Sequence, residues 1–557
     1  MSSSSSAPAP VGNPGAEGSP AAGSETTPGG NDSAPPLDAP PVDVDRSPLR
    51  ANWILWTLIG VEAVANLNLA IANVALPEIG LAFKATQTGV NLASVAFSLG
   101  LAGTVLYLGA VGDRYGRKML LLAGLGLMIP ASLVAAWAPN LGILVAARLI
   151  GGVAAGMAYP TTLALITALW SGKPRTRSIA LWSAVGGSMI ALALVLGGWL
   201  LEVAWWGSVF VITAPLALVA FVLALVIIPS HVNETTEVVD HFGGVLSVVG
   251  VIALVLAINF APVAGEATLA FSAGGVALVA LIGFFWRQRR APNPLFDLSL
   301  AARPTFWVAA VAGIIVFGSL MGALFVGEQL LQNVLGYSTI DSGLAILPAA
   351  VGMVIAAPRS ARMIDRFGSR ATLLAGYAFC LASFVIMITL WKATSGFLVV
   401  GVAMLVVGIG VGLAGTPASH SLTGSVPVRR AGMASATADL QRDLGASIMQ
   451  SIMGVILTAG YTLSATSQID ASHHPTSAQV ADTLENSYFE ATSVAHSYPK
   501  DASAIVAGAK TAFLAGADWS YLAGALCIVI GALLVGTVFP RKARETELLA
   551  SYHAKDA

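Results

Sequence analysis

From Trp53 to Phe539 the chain alternates long apolar runs with short polar stretches. A membrane span needs about 20 apolar residues. Runs of that order lie near Trp53–Leu76, Gly89–Val111, Met119–Ala138, Leu141–Trp170, Ile179–Leu201 and Trp205–Ile228. A close pair follows at Phe242–Ala261 and Leu269–Trp286. Six more come after: Trp307–Val334, Ser342–Ile364, Ala371–Trp391, Phe397–Thr423, Ala431–Tyr461 and Trp519–Phe539. Backbone groups in lipid must pair within their own segment, and runs without strict alternation are helices. The pattern therefore predicts an all-α polytopic membrane protein of fourteen spans, arranged as six, two and six.

Basic residues test that threading. With the amino terminus in the cytoplasm, the inner loops hold Arg114, Arg117, Lys118, Lys173, Arg175, Arg177, Arg287, Arg289, Arg290, Arg303, Arg366, Arg370, Arg429 and Arg430. The segment after the last run adds Arg541, Lys542 and Arg544, while the opposite side holds Lys84, Lys392, Lys500 and Lys510. This is the asymmetry of the positive-inside rule, and it predicts both termini in the cytoplasm. Trp53, Trp137, Trp170, Trp205, Trp286, Trp307, Trp391 and Trp519 fall near run ends, where interfacial anchors belong.

Composition agrees. Of the 557 residues 56% are hydrophobic and 10% charged, against about 25% charged in soluble domains. That leaves too little polar surface for a water-soluble globule, so a lipid bilayer is the expected surrounding. A net charge of −1 without a basic face argues against nucleic acid as a partner. Cys380 and Cys527 both sit in apolar runs and read as buried small hydrophobes. No metal spacing, nucleophile constellation or phosphate loop occurs, so no metal, cofactor or enzymatic activity is expected. Residues 1–50, rich in Ser, Pro, Gly and Ala, read as a disordered cytoplasmic tail without a cleaved signal peptide. The remaining expectations are a six-helix bundle over 51–230, two inserted helices with a linker over 231–304, a second bundle over 305–540 and a cytoplasmic tail over 541–557. A polar external loop over 462–518, carrying His473 and His474, is expected in the second bundle, with a surface helix as one option.

Two loops repeat. Gly109-Ala-Val-Gly-Asp113-Arg114-Tyr-Gly116-Arg117-Lys118 follows the second run. Ala361-Arg-Met-Ile-Asp365-Arg366-Phe-Gly368-Ser-Arg370 follows the tenth. Both carry Asp-Arg-aromatic-Gly and then a basic residue, in the second inner turn of a six-span block. A duplicated six-span unit with two added helices follows, an arrangement seen in transporters whose halves are related by an axis along the membrane normal.

On these residues the chain resembles the major facilitator superfamily, in particular its fourteen-span drug:proton antiporter branch. The first loop is similar to that superfamily's motif A, with Val111 at a leucine position. The resemblance implies that Gly109, Asp113, Arg114, Gly116, Arg117 and Lys118, with Asp365 and Arg366 in the second copy, form a cytoplasmic latch that opens during alternating access. Leu144–Gly156 resembles motif B, whose membrane-embedded arginine, here Arg148, is linked to proton coupling. Asn68-Leu-Ala-Ile-Ala-Asn73-Val-Ala-Leu-Pro77 resembles a signature whose first position is an aspartate, and Asn68 cannot carry a proton there. The fifth span resembles antiporter motif C with Ala193-Leu194 where Gly-Pro is expected; Gly197 and Gly198 remain as a helix-packing motif. Members usually act as monomers.

With that aspartate missing, other acids within spans become candidates for proton coupling. Glu62 lies nine residues past Trp53, ~14 Å into the first span. Asn66 and Asn73 share its face and suggest a substrate-cavity wall, whereas Asn68 points about a third of a turn away. Glu62 is either a proton-exchanging acid or one satisfied by a structural partner. Arg148 lies ~10 Å deep, within reach of snorkelling, and is read as the conformational partner in coupling. Asp439, Arg442 and Asp443 are spaced so that the arginine reaches both acids, as a static cluster or a relay. Glu328, a further proton-coupling candidate, sits near an outer rim as a water-facing group or an external gate, with Gln329 and Gln332 beside it as substrate-cavity candidates. The expected function is proton-coupled export of a hydrophobic or amphipathic small molecule, with protons as the coupling partner. An uncoupled facilitator or differently driven exporter is the alternative, and a membrane receptor or enzyme a remote one.

Overall fold

The computed structural model describes residues 47–230, 238–263, 265–471 and 477–556. Among them are 14 helices long and apolar enough to cross a membrane. They are α1 (Ala51–Val74), α2 (Thr88–Tyr115), α3 (Arg117–Ala136), α4 (Leu141–Leu169), α5 (Gly172–Val203), α6 (Ser208–Ile227), α7 (His241–Phe260), α8 (Ala267–Gln288), α9 (Pro304–Val334), α10 (Thr339–Phe367), α11 (Ser369–Leu390), α12 (Phe397–Gly424), α13 (Val428–Ala471) and α14 (Ala502–Val538). Starts are capped by side chains that satisfy orphan backbone donors, among them Thr86 for Gly89, Asn140 for Ile143 and Ser338 for Asp341.

The two six-helix halves pack alike. In the first, α1 lies on α5 and α6, α2 on α4, and α3 on α4 and α6. In the second, α9 lies on α13 and α14, α10 on α12, and α11 on α12 and α14. Glycines let these backbones meet: a Cβ on Gly152 would strike Phe97, and one on Gly408 would strike Ala349. The turns joining α2 to α3 and α10 to α11 each contain one glycine of positive φ, Gly116 at 116° and Gly368 at 85°, a geometry L side chains resist. Repetition in sequence thus becomes repetition in backbone.

The halves meet along two lines, α5 against α10 and α2 against α13. The first is made of small residues. Ala180 and Ala184 face Ala357 and Ala361, Gly187 faces Met353, and Gly198 faces Ile340. The inserted pair α7–α8 lies beside the second line, with α7 touching both α2 and α13. Outward faces are apolar: Val226, Phe271 and Val279 are each more than 70% exposed. Such a surface belongs in hydrocarbon.

Two expectations about connections need correction. The region 462–518 is largely helical: α13 continues to Ala471, helices span Ala478–Asn486 and Tyr488–Ser497, and α14 starts at Ala502. Polar residues on one face of these extensions disguised them as loop. His473 and His474 lie outside the described residues, as do 1–46. The expected tail after 540 holds a helix over Lys542–Asp556, docked by Lys542 Nζ to the carbonyl of Asp365 (2.6 Å) and by Glu545 to the amide of Ser369 (3.0 Å).

Candidate functional site

Glu62 on α1 is fully buried. The arginine that reaches it is Arg442, from α13 in the other half: Nη1 lies 3.3 Å from Glu62 Oε1. The same nitrogen donates to Tyr159 Oη at 2.7 Å, and Nη2 donates to Ser183 Oγ at 3.1 Å. Asn66 donates to Tyr159 Oη at 3.2 Å. The guanidinium also stands 4.4 Å from the Trp182 ring centroid, 4.8 Å from Phe317 and 5.9 Å from Tyr159, in cation–π range. One cation of the second half is therefore held by α1, α4 and α5 of the first. Gly186 makes room for this, because a Cβ there would collide with the Glu62 carboxyl group.

The i,i+3 spacing of Asp439 and Arg442 suggested that the arginine serves its own helix. The structure turns it across the interface instead. Asp439 is buried with neither carboxyl oxygen hydrogen-bonded, and Asp443 Oδ2 is likewise without a partner. Three acids thus surround a single guanidinium. Tyr159, Trp182, Ser183 and Phe317 were missed in the sequence, although a tyrosine in the middle of an apolar span was a usable signal.

Arg148 does not join Glu62. It is 2% exposed, so snorkelling is ruled out, and Nη1 donates to Asn68 O (2.9 Å) and Asn68 Oδ1 (3.3 Å). Phe97 and Phe210 lie 4.9 and 5.7 Å from it. Asn68 in turn donates to Ser132 (3.0 Å) and Thr213 (3.1 Å). No acid pairs with Arg148 among the described ion pairs. Asn73 lies at the far end of α1 with Ser94. Glu328 is half-buried and accepts from Gln332 Nε2 at 3.2 Å; Gln329 is half-buried beside it.

At the end bearing the repeated loops, Asp113 and Arg117 form a buried 2.8 Å ion pair. Both also grip the other half: Gly432 N donates to Asp113 Oδ2 (2.8 Å), and Arg117 Nη2 donates to the carbonyl of Val428 (2.9 Å). Gly109 and Gly432 touch backbone to backbone, so neither tolerates a side chain cheaply. Arg114 stacks on Tyr115, and Lys118 donates to the carbonyls of Leu225 and Ile228. In the second copy the carbonyl of Asp365 accepts from Lys542 Nζ, and Arg366 lies over Phe367. Gly197 packs on Val74 and Ile71 within the first half.

The family model of the Major Facilitator Superfamily matches residues 58–449. The chain belongs to the major facilitator superfamily. It is 31% identical over 502 residues to the multidrug efflux pump LfrA of Mycolicibacterium smegmatis, covering 89% of this chain and 98% of that one. It is 33% identical over 401 residues to the multidrug resistance protein Stp of Mycobacterium tuberculosis, covering 71% and 73% respectively. Among solved structures it is similar to the proton:xylose symporter XylE, with TM-score 0.56 and 14% identity over 91% of this chain and 99% of that one. The human organic anion transporter MFSD10 matches with TM-score 0.55 and 14% identity over 87% of this chain and 99% of that one. These two likenesses establish the superfamily fold. The chain is a multi-pass membrane transporter of this superfamily, and the two sites above bridge its halves, one midway along α1 and one at the end bearing the repeated loops.

Proposed function

We propose that this transporter exports an amphipathic small molecule across the cytoplasmic membrane by alternating access, driven by proton uptake at Glu62. The observation that carries this is the Glu62–Arg442 contact, in which an acid of one half holds a cation of the other. The names of the efflux relatives support the direction and the substrate class. The basic-residue asymmetry supports an inner latch at Asp113 and Arg117, with both termini in the cytoplasm.

Coupling follows from charge. A carboxylate at Glu62 favours the arrangement in which Arg442 lies across the interface. A proton on Glu62 cancels that attraction and releases the arginine toward Asp439, one turn earlier on its own helix, which frees the halves to rock. A proton crossing 100 mV releases about 2.3 kcal/mol, and a hydrogen bond to a charged group is worth about 1.5–3 kcal/mol. The drive therefore matches the lock it must undo. Asn66 and Tyr159 line the same place as candidate substrate contacts, Glu328 and Gln332 are a candidate outer gate, and the transporter works as a monomer.

The neutral Asn68 beside Arg148 favours a second reading, a facilitator or an exporter with another drive. Everted-vesicle transport of a panel of amphipathic dyes, with and without a proton gradient, separates them. Glu62→Gln is expected to abolish gradient-driven accumulation while leaving downhill exchange. Full accumulation in that variant removes Glu62 from coupling, and accumulation indifferent to collapse of the gradient removes proton drive.

A further inference from the structure

The helices α13 and α14 are too long for the membrane they cross. Tyr461 lies thirty residues beyond Ala431, about 45 Å along α13, against a hydrocarbon core of about 30 Å. Ala509 lies twenty-nine residues before Val538, about 44 Å along α14. Both extensions therefore stand in water on the side opposite the Asp113 latch. Between them and the helices Ala478–Asn486 and Tyr488–Ser497 lies a cavity of about 710 Å³. Pockets that hold drug-sized ligands run from about 300 to 1,000 Å³.

The cavity has a built frame. Tyr461 Oη donates to the carbonyl of Leu484 (3.1 Å), and Thr462 Oγ1 to that of Glu485 (2.9 Å), pinning a roof helix to α13. Gln468 Nε2 donates to the carbonyl of Gly508 (3.3 Å), tying α13 to α14. Rings of Tyr488 and Phe513 stack edge to face at 6.1 Å and join the other roof helix to α14. The walls are mainly apolar, with Ala465, Ile469, Val480, Leu484 and Ile505; Gln468, Ser477 and Tyr498 add polar groups, and Asp501 is the charged side chain among the described lining residues. An apolar hollow of this size in an aqueous region is costly to leave to water. No membrane-spanning role accounts for it, because it lies beyond the hydrocarbon.

We infer that this hollow is a second binding site, outside the membrane, for a flat apolar molecule that is uncharged or cationic. Aromatic amines fit: the ring system takes the apolar walls, Tyr498 offers an exposed ring and hydroxyl, and Asp501 takes a protonated nitrogen or repels an anion. The site does not depend on the direction or the drive of transport.

The test uses the full chain in lipid nanodiscs, with Cys380→Ser and Cys527→Ser as background. A cysteine is placed at Ala504, on the wall, or at Ser503, exposed outside it. Labelling by a water-soluble maleimide is timed with and without N-phenyl-1-naphthylamine. At about ten times its Kd the dye slows labelling of Ala504→Cys roughly tenfold and leaves Ser503→Cys unchanged. The anionic relative 8-anilino-1-naphthalenesulfonate protects less, and the difference shrinks with Asp501→Asn. Equal rates at both positions with and without dye overturn the site. Equal protection by the two dyes overturns the proposed ligand class. Both positions are already solvent-reached, so neither cysteine threatens folding.

Discussion

Adding one methyl group at Gly432 should unfasten the contact between Asp113 and the second half. A Cβ on Gly432 would lie 2.5 Å from Asp113 Oδ2 and 2.7 Å from its Cγ, whereas ordinary contact begins near 3.4 Å. The neighbour is a carboxyl group already fixed by Arg117 at 2.8 Å, so it has little room to swing aside. The halves must then part by about 0.9 Å, which stretches the Gly432–Asp113 bond from 2.8 Å to about 3.7 Å, beyond hydrogen-bonding range. A bond to a charged group is worth about 1.5–3 kcal/mol, and the adjoining Arg117–Val428 bond weakens with it. A loss of about 3 kcal/mol moves the latched-to-unlatched ratio roughly 150-fold. Spin labels on cysteines at Arg114 and Arg429, one on each half, read this as a population shift toward longer distances in Gly432→Ala. An unchanged distance distribution would refute the claim that this contact holds the halves together.

Two further outcomes follow from other parts of the molecule. Asn68→Asp should stabilise the protein, against the usual effect of burying an acid, because no acid pairs with Arg148 among the described residues and its Nη1 already stands 3.3 Å from Asn68 Oδ1. The expected gain is about 1–3 kcal/mol, read as a higher melting temperature in detergent, and a lower one would sink the argument. Glu545 on the terminal helix has its carboxyl pushed above the usual range by burial, against the hydrogen bonds from Ser369 and the nearby Lys542. Its docked form binds the proton more tightly than the undocked one. Docking is therefore strongest in acid and weakens as pH rises from the ordinary carboxyl range through the raised value. Hydrogen exchange over 542–556, corrected for intrinsic rates, should speed up across that window, and Glu545→Gln should flatten the response.

The spans and the two-half plan were legible because lipid imposes one rule, long apolar runs with basic inner loops, on every crossing. The extensions of α13 and α14 were not, because beyond the membrane that rule lapses and an amphipathic helix looks like loop. Inside the membrane, spacing placed Arg442 beside Asp439 and Asp443, which is true of the backbone. It could not reveal that the guanidinium turns toward Glu62, 380 positions away, since that choice is made by the packing of α13 against α2 and α4. The Asp113–Arg117 pair was legible because four positions of chain, folded back at Gly116 between α2 and α3, bring them together. Its grip on Gly432 and Val428 was not, for the same reason of distance along the chain. Asn68 was noted as a departure from a signature, and only the fold revealed that it is what Arg148 rests upon.

The line between α5 and α10 sets Ala180 and Ala184 against Ala357 and Ala361, with Met353 and Ile340 seated over Gly187 and Gly198. Where small side chains meet, the relief is shallow and two helices can roll with little to disengage. Motion that opens one end of this molecule should therefore pivot there, like a door on its hinge post, and the work of each stroke is concentrated on the clasps at Asp113 and Arg442.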